Sequence, residues 1–478
     1  MRNINIYLMI TGFCFLLLNC KQNQPAQDIK QEIAYNFTLP DWAKSAVIYE
    51  VNVRQFTPEG TFNGLASHLD RISEMGVDIL WLMPIYPISK IKRKAKGDLL
   101  VSDIKDLEER KKYFGSPYAV ADYKAVNPDY GTTADFKNLV KEAHNRNMKI
   151  ILDYVPNHTG WDNQWIVDHP DWYTQDEDGN IIDPIDPGTG QSWGWTDVAD
   201  LNYDNEDMRA AQIDALLFWI NDMGIDGFRH DVAHNVPVDF WKEASKACVK
   251  ANPEVFLLAE AEQPELRTQE TFHADYGWEF HHLMNDIAKG HKNTGHIDDW
   301  MTRNRNKNDK GFHIHFTSNH DENTWNGTVF DRMGDAHKAL AVLTATFDGM
   351  PLLYGGQEEP MKHRLAFFTK DDIGFKNYAY ADFYKTLFDL KEKNQALWNG
   401  EYGGQLEKIV ESEDIYGFTR KKNGDAVTVF INLSDQTVST LLTKDVTPTI
   451  DVFSGASLPS KVGEKVTLAP WSYLVGGS

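Results

Sequence analysis

Cysteine is almost missing from this chain. Of three in 478 residues, Cys14 and Cys20 fall in the first twenty positions, which leaves Cys248 alone in the body of the protein. One thiol cannot close an internal disulfide, and no Cys-x-x-Cys or Cys/His spacing offers a zinc or iron–sulfur site. Cys248 reads as a small buried apolar residue on a helix. Basic residues are also in deficit, with 48 Lys and Arg against 70 Asp and Glu, a net charge of −22. That balance argues against nucleic acid and anionic membrane surfaces as main partners and leaves neutral polymers open. Short tandem repeats are absent, and low complexity is confined to residues 21–40. What remains is an ordinary globular composition, 42% apolar and 25% charged. Its length suffices for a large domain with one or two smaller attachments.

The N-terminus carries an address. Met1-Arg2-Asn3 is a short basic start, and the apolar run over residues 6–18 is a signal-peptide core. That run is too short for a spanning helix of about 20 residues. It ends in Leu17-Leu18-Asn19-Cys20, which resembles the lipobox of bacterial lipoproteins, with Asn19 where a small residue is usual. The resemblance implies lipidation of Cys20 and an exported protein of the bacterial envelope, periplasmic or on the outer-membrane surface. It would touch the membrane only through its lipid. The alternative is an ordinary signal peptide with an incidental cysteine. Residues 21–40, rich in Gln, Asn and Lys, are expected to form a flexible tether.

From residue 46 two periodicities alternate. Strands are expected over 46–53, 77–83, 148–154, 255–259, 312–317 and 351–354, with another running into Gly227-Phe228-Arg229 and a sixth near 274–278. Between them, helical spacing recurs over 65–75, 136–143, 206–222 and 238–250. Near-continuous apolar strands separated by amphipathic helices predict a parallel sheet covered by helices. Residues 155–205 break the rhythm with Trp, Asp, Gly and Pro, and predict an excursion subdomain after the third strand. The charged stretch over 88–115 reads as a solvated surface loop. After about residue 395 the pattern turns to alternating strands around a Lys422-Asn423-Gly424-Asp425 turn, a small all-β domain over 396–478.

In a parallel barrel, reactive side chains come from the C-terminal ends of strands. Read there, the third strand ends in Asp153-Tyr154-Val155-Pro156-Asn157-His158 and the fourth in Gly227-Phe228-Arg229-His230-Asp231. The fifth ends in Leu257-Leu258-Ala259-Glu260 and the seventh in Thr317-Ser318-Asn319-His320-Asp321. Taken singly, Arg229 with Asp231 is equally a structural ion pair, and Glu260 a solvated strand end. Glu262 competes with Glu260, since spacing two puts both on one face.

These four stretches resemble the four short motifs of the α-amylase superfamily, glycoside hydrolase family 13, in the same order and on the matching strands. Ser116-Pro117-Tyr118, Asp122-Tyr123, Ala199-Asp200-Leu201-Asn202 and Tyr354-Gly355-Gly356-Gln357-Glu358 extend the similarity. It implies a (β/α)8 TIM barrel over 41–395, with a C-terminal all-β sandwich, and retaining hydrolysis of α-glucans. By motif position Asp231 is the nucleophile, Glu260 the acid and base, and Asp321 the stabiliser of the oxocarbenium-like transition state. Glu260 is expected to have a raised pKa, favoured by neighbouring anions. Arg229 keeps the nucleophile ionised, His158 and His320 bind the sugar, and Tyr118 stacks beneath it. Asp153 organises the site, while His230, His281 and His282 are packing or surface residues.

The resemblance also implies a structural Ca²⁺ held by Asn157, Asp200 and a backbone carbonyl near Asn235. A Lys-His pair common after the nucleophile in the family is His234-Asn235 here. Val198-Ala199-Asp200-Leu201-Asn202 is similar to the amylase form of its motif, which favours α-1,4 cleavage of starch or maltodextrins. A cyclomaltodextrinase-like, α-1,6-acting or transglycosylating relative is the alternative. A non-catalytic glycan-binding lipoprotein is disfavoured because all the acids are present. Trp161, Trp165, Trp172, Trp193 and Trp195 read equally as sugar-binding residues or as the core of the excursion.

Overall fold

The computed structural model describes residues 37–186, 188–305 and 310–478. The expected signal peptide, Cys20 and residues 21–36 lie outside the described residues. Eight short parallel strands follow the chain around a closed ring: β1 (Ile48–Val51), β2 (Ile79–Leu82), β3 (Lys149–Tyr154), β4 (Gly227–His230), β5 (Phe256–Ala259), β6 (Ala274–Tyr276), β7 (Phe312–His315) and β8 (Met350–Tyr354). Strand β1 pairs with both β2 and β8, which shuts the barrel.

Strand alternation sorts the side chains. Ile48, Ile79, Ile151, Phe256, Leu258, Ile314 and Leu352 point inward and pack together in the lumen. Their neighbours Tyr49, Leu80, Leu152, Phe228 and Leu257 pack outward against the helices. Both faces are buried, which is why the strands read as continuous apolar runs. The helices start on clear caps. Thr132 and Asp135 form a reciprocal capping box at Thr133–His144, and Asn205 accepts the Met208 N–H at 3.0 Å to open Glu206–Asn221. Cys248 is buried on the helix Val238–Ala251, where desolvation lifts its thiol to about 12. Among the described residues no helix is long and apolar enough to cross a membrane.

Three local expectations change. The helical pattern over 65–75 is two short helices, Phe62–Ala66 and Leu69–Glu74. The expected strand over 46–53 ends at Val51. The expected tether stops before Phe37, whose ring stacks on His273 at 4.2 Å, while Thr38 O lies 3.1 Å from His273 Nε2.

Beyond the helix Ala381–Lys393, the strands Leu406–Lys408, Ile415–Lys422, Asp425–Asn432, Tyr473–Gly477 and Ile450–Asp451 form an antiparallel sheet in that order. A ribbon of Val438–Leu441 and Lys465–Leu468 lies against it across Ile415, Phe430, Leu442, Val466 and Leu468. Asn423 (φ 52°) and Gly424 (φ 104°) are both left-handed, as a two-residue hairpin turn requires.

Arg420 bolts this sheet to the barrel. Fully buried, it donates to Gly404 O at 2.8 Å, Phe347 O at 2.6 Å, Thr346 O at 3.2 Å and Trp398 O at 3.1 Å. Two of these carbonyls close the helix His337–Thr346, where a cation also meets the negative end of the helix dipole. Arg420→Met strands four buried acceptors. It is expected to lower unfolding stability by at least about 3 kcal/mol, measured as a shifted denaturant midpoint; an unchanged midpoint contradicts the bolt.

Candidate active site

Period two does more than pack the lumen. The inward positions of β1, β3, β4 and β5 are apolar at the bottom and ionisable at the top, ending in Glu50, Asp153, Arg229 with Asp231, and Glu260. Gly227 sets the spacing between β4 and β5, since a Cβ there would lie 2.1 Å from Phe256 O.

Arg229 is fully buried at the centre. Its Nη1 donates to Asp153 Oδ1 at 2.8 Å and Asp231 Oδ1 at 2.7 Å, and Nε to Tyr276 Oη at 3.1 Å. Nη2 lies 2.7 Å from Glu260 Oε1 without hydrogen-bond alignment. The guanidinium rests over the Trp81 ring, 5.1 Å from its centroid. Glu260 Oε2 accepts the Val232 N–H at 2.8 Å. That amide is aimed by a left-handed Val232 (φ 45°), a costly conformation for a β-branched residue and one typical of functional turns. Glu262 instead accepts the Glu279 N–H at 2.8 Å. The structure therefore puts Glu260, and not Glu262, on the arginine.

The remaining predicted residues line the same cleft, about 790 Å³, with Tyr118, His158, Asp231, Glu260, His320 and Asp321 in its wall. Asp321 is 36% exposed, open to the cleft. Tyr118 Oη lies 3.1 Å from Asp153 Oδ2 and 2.7 Å from His320 Nε2. The two histidines differ in charge. Burial lowers His158 to about 3, so it is neutral. Burial also acts on His320, but Asp321 and Glu50 outweigh it and raise His320 to about 9. His230 is a packing residue, enclosed by Tyr154, Phe228, Trp241 and Phe272.

Glu260 departs from expectation. Burial pushes its carboxyl up, but Arg229 and the Val232 N–H overcome burial and hold it below its ordinary range. Burial lifts Asp153 to about 6 and Asp231 well above the carboxylate range, with Arg229 opposing in both. Glu260 is thus the more ionised of Asp231 and Glu260, the reverse of the raised Glu260 the sequence predicts.

The stretch over 88–115 is not merely solvated. Lys111 and Lys112 are exposed, but Lys94 is buried, donating to Gly194 O at 3.0 Å and lying 3.6 Å from Asp197. With Asp98 it lines the cleft. The five excursion tryptophans divide. Trp165 and Trp172 pack edge to face at 5.1 Å inside the subdomain, and Trp161 carries Lys92 on its ring. Trp193 and Trp195 stack at 5.6 Å on the cleft wall. Sequence reasoning missed Trp325, 51% exposed on a π-turn just after Asp321, and its neighbour Phe367 at 5.2 Å. It also missed Glu50, although a lone acid in an apolar strand was the available signal.

For calcium, Asp200 faces His158 across a two-stranded ribbon, beside Asn157. Its carboxyl is raised to about 6 by burial and has no cation against it among the described residues. That fits a hard cation. Asn235 makes no hydrogen bond to either residue, and the described residues hold no cluster of three His, Cys, Asp or Glu.

Carboxylates and a buried arginine at the C-terminal mouth of a (β/α)8 barrel define a barrel enzyme with acid–base chemistry. Comparison with known proteins narrows the class. The family profile described as "Alpha amylase, catalytic domain" matches residues 31–412. The chain is 29% identical over 388 residues to α-amylase 3 of Dictyoglomus thermophilum, covering 75% of this chain and 70% of that one. A crystal structure of an α-amylase from Lactobacillus plantarum superposes with a TM-score of 0.76 at 28% identity, over 91% of this chain and 99% of that one. A noncanonic maltogenic α-amylase, AmyB, from Thermotoga neapolitana shares the fold, with a TM-score of 0.77 at 23% identity over 91% and 99% of the two chains. The chain belongs to the α-amylase catalytic-domain family and is a glycoside hydrolase.

Arg229→Gln leaves Asp153, Asp231 and Glu260 without the cation they share. Asp153 and Asp231, already raised, then rise further above their unfolded values, and Glu260 is released upward from its lowered position, so stability falls as pH increases through them. The variant is expected to lose more thermal stability at pH 8 than at pH 5; equal losses contradict the charge cluster.

Proposed function

We propose that this enzyme hydrolyses α-1,4-glucosidic bonds in starch, maltodextrins or related α-glucans with retention. The observation that carries the reading is the single guanidinium holding Asp231 on one terminal nitrogen and Glu260 on the other, at 2.7 Å each. Two carboxyl groups so close can act as the nucleophile and acid–base pair of a retaining enzyme, about 5–5.5 Å apart. Asp231 attacks the anomeric carbon. Glu260 protonates the leaving oxygen and later takes a proton from water, and Asp321 stabilises the oxocarbenium-like transition state. Tyr118, His158 and His320 hold the sugar at the cleavage point. Two aromatic groups in the lining, Trp193 with Trp195 and Trp325 with Phe367 and Phe368, give flat faces for sugars beyond it. Such an extended cleft favours a chain over a disaccharide.

The protons must be redistributed before reaction, because Arg229 holds Glu260 ionised while burial raises Asp231. The unaligned Nη2 contact is the one that gives way. A sugar that draws Glu260 off Arg229 lets the acid take up a proton and leaves the cation to Asp231. We further propose that Asn157, Asp200 and the Asn235 carbonyl hold Ca²⁺, which would tie the excursion to the barrel. We also propose a bacterial envelope location with an anchor through Cys20, supported by the signal-peptide-like start and the lipobox-like Leu17-Leu18-Asn19-Cys20.

A timed product profile on amylose, β-cyclodextrin and pullulan, using protein lacking residues 1–20, tests the substrate. Mixed short maltooligosaccharides with cyclodextrin intact are expected, and a chelator should lower both rate and melting temperature. Rapid opening of cyclodextrin, or panose from pullulan, moves the enzyme to the cyclomaltodextrinase and neopullulanase group. Glu260→Gln should lose several powers of ten on these glucans yet keep the first step on α-glucosyl fluoride, whose leaving group needs little protonation. Equal loss on both substrates contradicts the acid role.

A further inference from the structure

Glu50 has no part in the chemistry above, yet it is fully buried at the last inward position of β1, beside Trp81 of β2 and Tyr354 of β8. Its Oε1 lies 2.6 Å from His320 Nδ1 and 3.4 Å from the His320 backbone N–H. Its Oε2 is buried without a partner. An unpaired buried carboxylate is costly, so this contact balances Glu50 only if His320 supplies charge as well as a hydrogen bond. The other side of the ring agrees. Nε2 faces Asp321 Oδ2 at 3.4 Å and Tyr118 Oη at 2.7 Å, and the Trp81 ring meets the imidazole edge to face at 5.9 Å. A neutral ring that kept its proton on Nδ1 would aim a lone pair at Asp321.

We propose that Glu50 is a positioning residue of the cleavage site, which fixes the His320 ring and keeps both its nitrogens protonated so that Nε2 meets the sugar only as a donor. This rests on the reading of the cleft as a glucan site. The charged groups around His320 are Glu50 from β1, Asp153 from β3, Arg229 from β4, Glu260 after β5 and Asp321 after β7. Burial and Arg229 oppose the charge, and four carboxylates favour it. The imidazolium is therefore a second cation in a site where acids outnumber bases. Its charge persists as pH rises to about 9 and is lost above. Glu50 itself is raised by burial and pulled back by His320.

Glu50→Gln is nearly isosteric, and its amide oxygen can still accept from Nδ1, but it removes the charge. The alkaline limb of kcat/KM should move down by about 1–3 pH units, as expected for losing an opposite charge in contact. At pH 8 the variant should then be slower relative to wild type than at pH 6, by about twofold for a shift of one unit and about tenfold for two. A loss that is the same at every pH would show a merely structural Glu50 and overturn the proposal. The second measurement needs no variant of Glu50. In the ¹⁵N-histidine spectrum of the wild-type enzyme, with His320→Gln assigning the signal, His320 should be doubly protonated at pH 7.5. A single neutral tautomer overturns the proposal even if Glu50→Gln fails to fold. A charged His320 in an enzyme that cleaves no α-glucan supports the pair and sinks only the substrate reading.

Discussion

Arg229 is a guanidinium sealed from water, with Asp153 and Asp231 on one terminal nitrogen, Glu260 near the other and the Trp81 face beneath. A cation in that position is tolerable only because acids surround it, and the acids are tolerable only because it is there. The barrel supplies the geometry. Its inward residues alternate along each strand, so one apolar layer can floor the site while the next presents ionisable groups to the cleft. The close approach at Gly227 and the strained turn at Val232 serve the same centre, one by letting β4 and β5 approach, the other by aiming an N–H at Glu260.

Much of this was legible in the sequence, for physical reasons. The strands are buried on both faces, so they announce themselves as apolar runs, and the reactive residues sit where those runs stop. That rule points to Asp153, Arg229, Asp231, Glu260, His320 and Asp321, and the motif resemblance gives them their roles and separates Glu260 from Glu262. Glu50 escaped the same rule because Val51 and Val53 extend the apolar pattern past it, and the strand end looked two residues later than it is. Strand β6 is three residues long, too short for any period to show. Lys94 looked solvated because its partners Gly194 and Asp197 lie about a hundred positions away. The five tryptophans of the excursion could not be divided by pattern, since packing inside the subdomain and stacking on the cleft use the same residue type.

Charge was the least legible feature. Sequence logic gives Glu260 a raised pKa because anions lie near it, but the nearest group is the arginine, and contact distance decides the sign. The same holds for the histidines. His158 and His320 are both expected to bind the sugar, yet His158 is a neutral ring and His320 a charged one, because only His320 has carboxylates on both nitrogens.

The central claim is that Asp231 forms the covalent bond to the sugar, with Arg229 as its counter-ion once Glu260 has taken up a proton to serve as the acid. Mass spectrometry of the enzyme treated with a 5-fluoro-α-glucosyl fluoride tests it most directly. Such a substrate forms the glycosyl-enzyme faster than it is hydrolysed. The account predicts one added glucosyl group, located by peptide fragmentation on Asp231. A label on Asp153, Asp321 or Glu260, or release of the inverted anomer with no labelled protein, would contradict it.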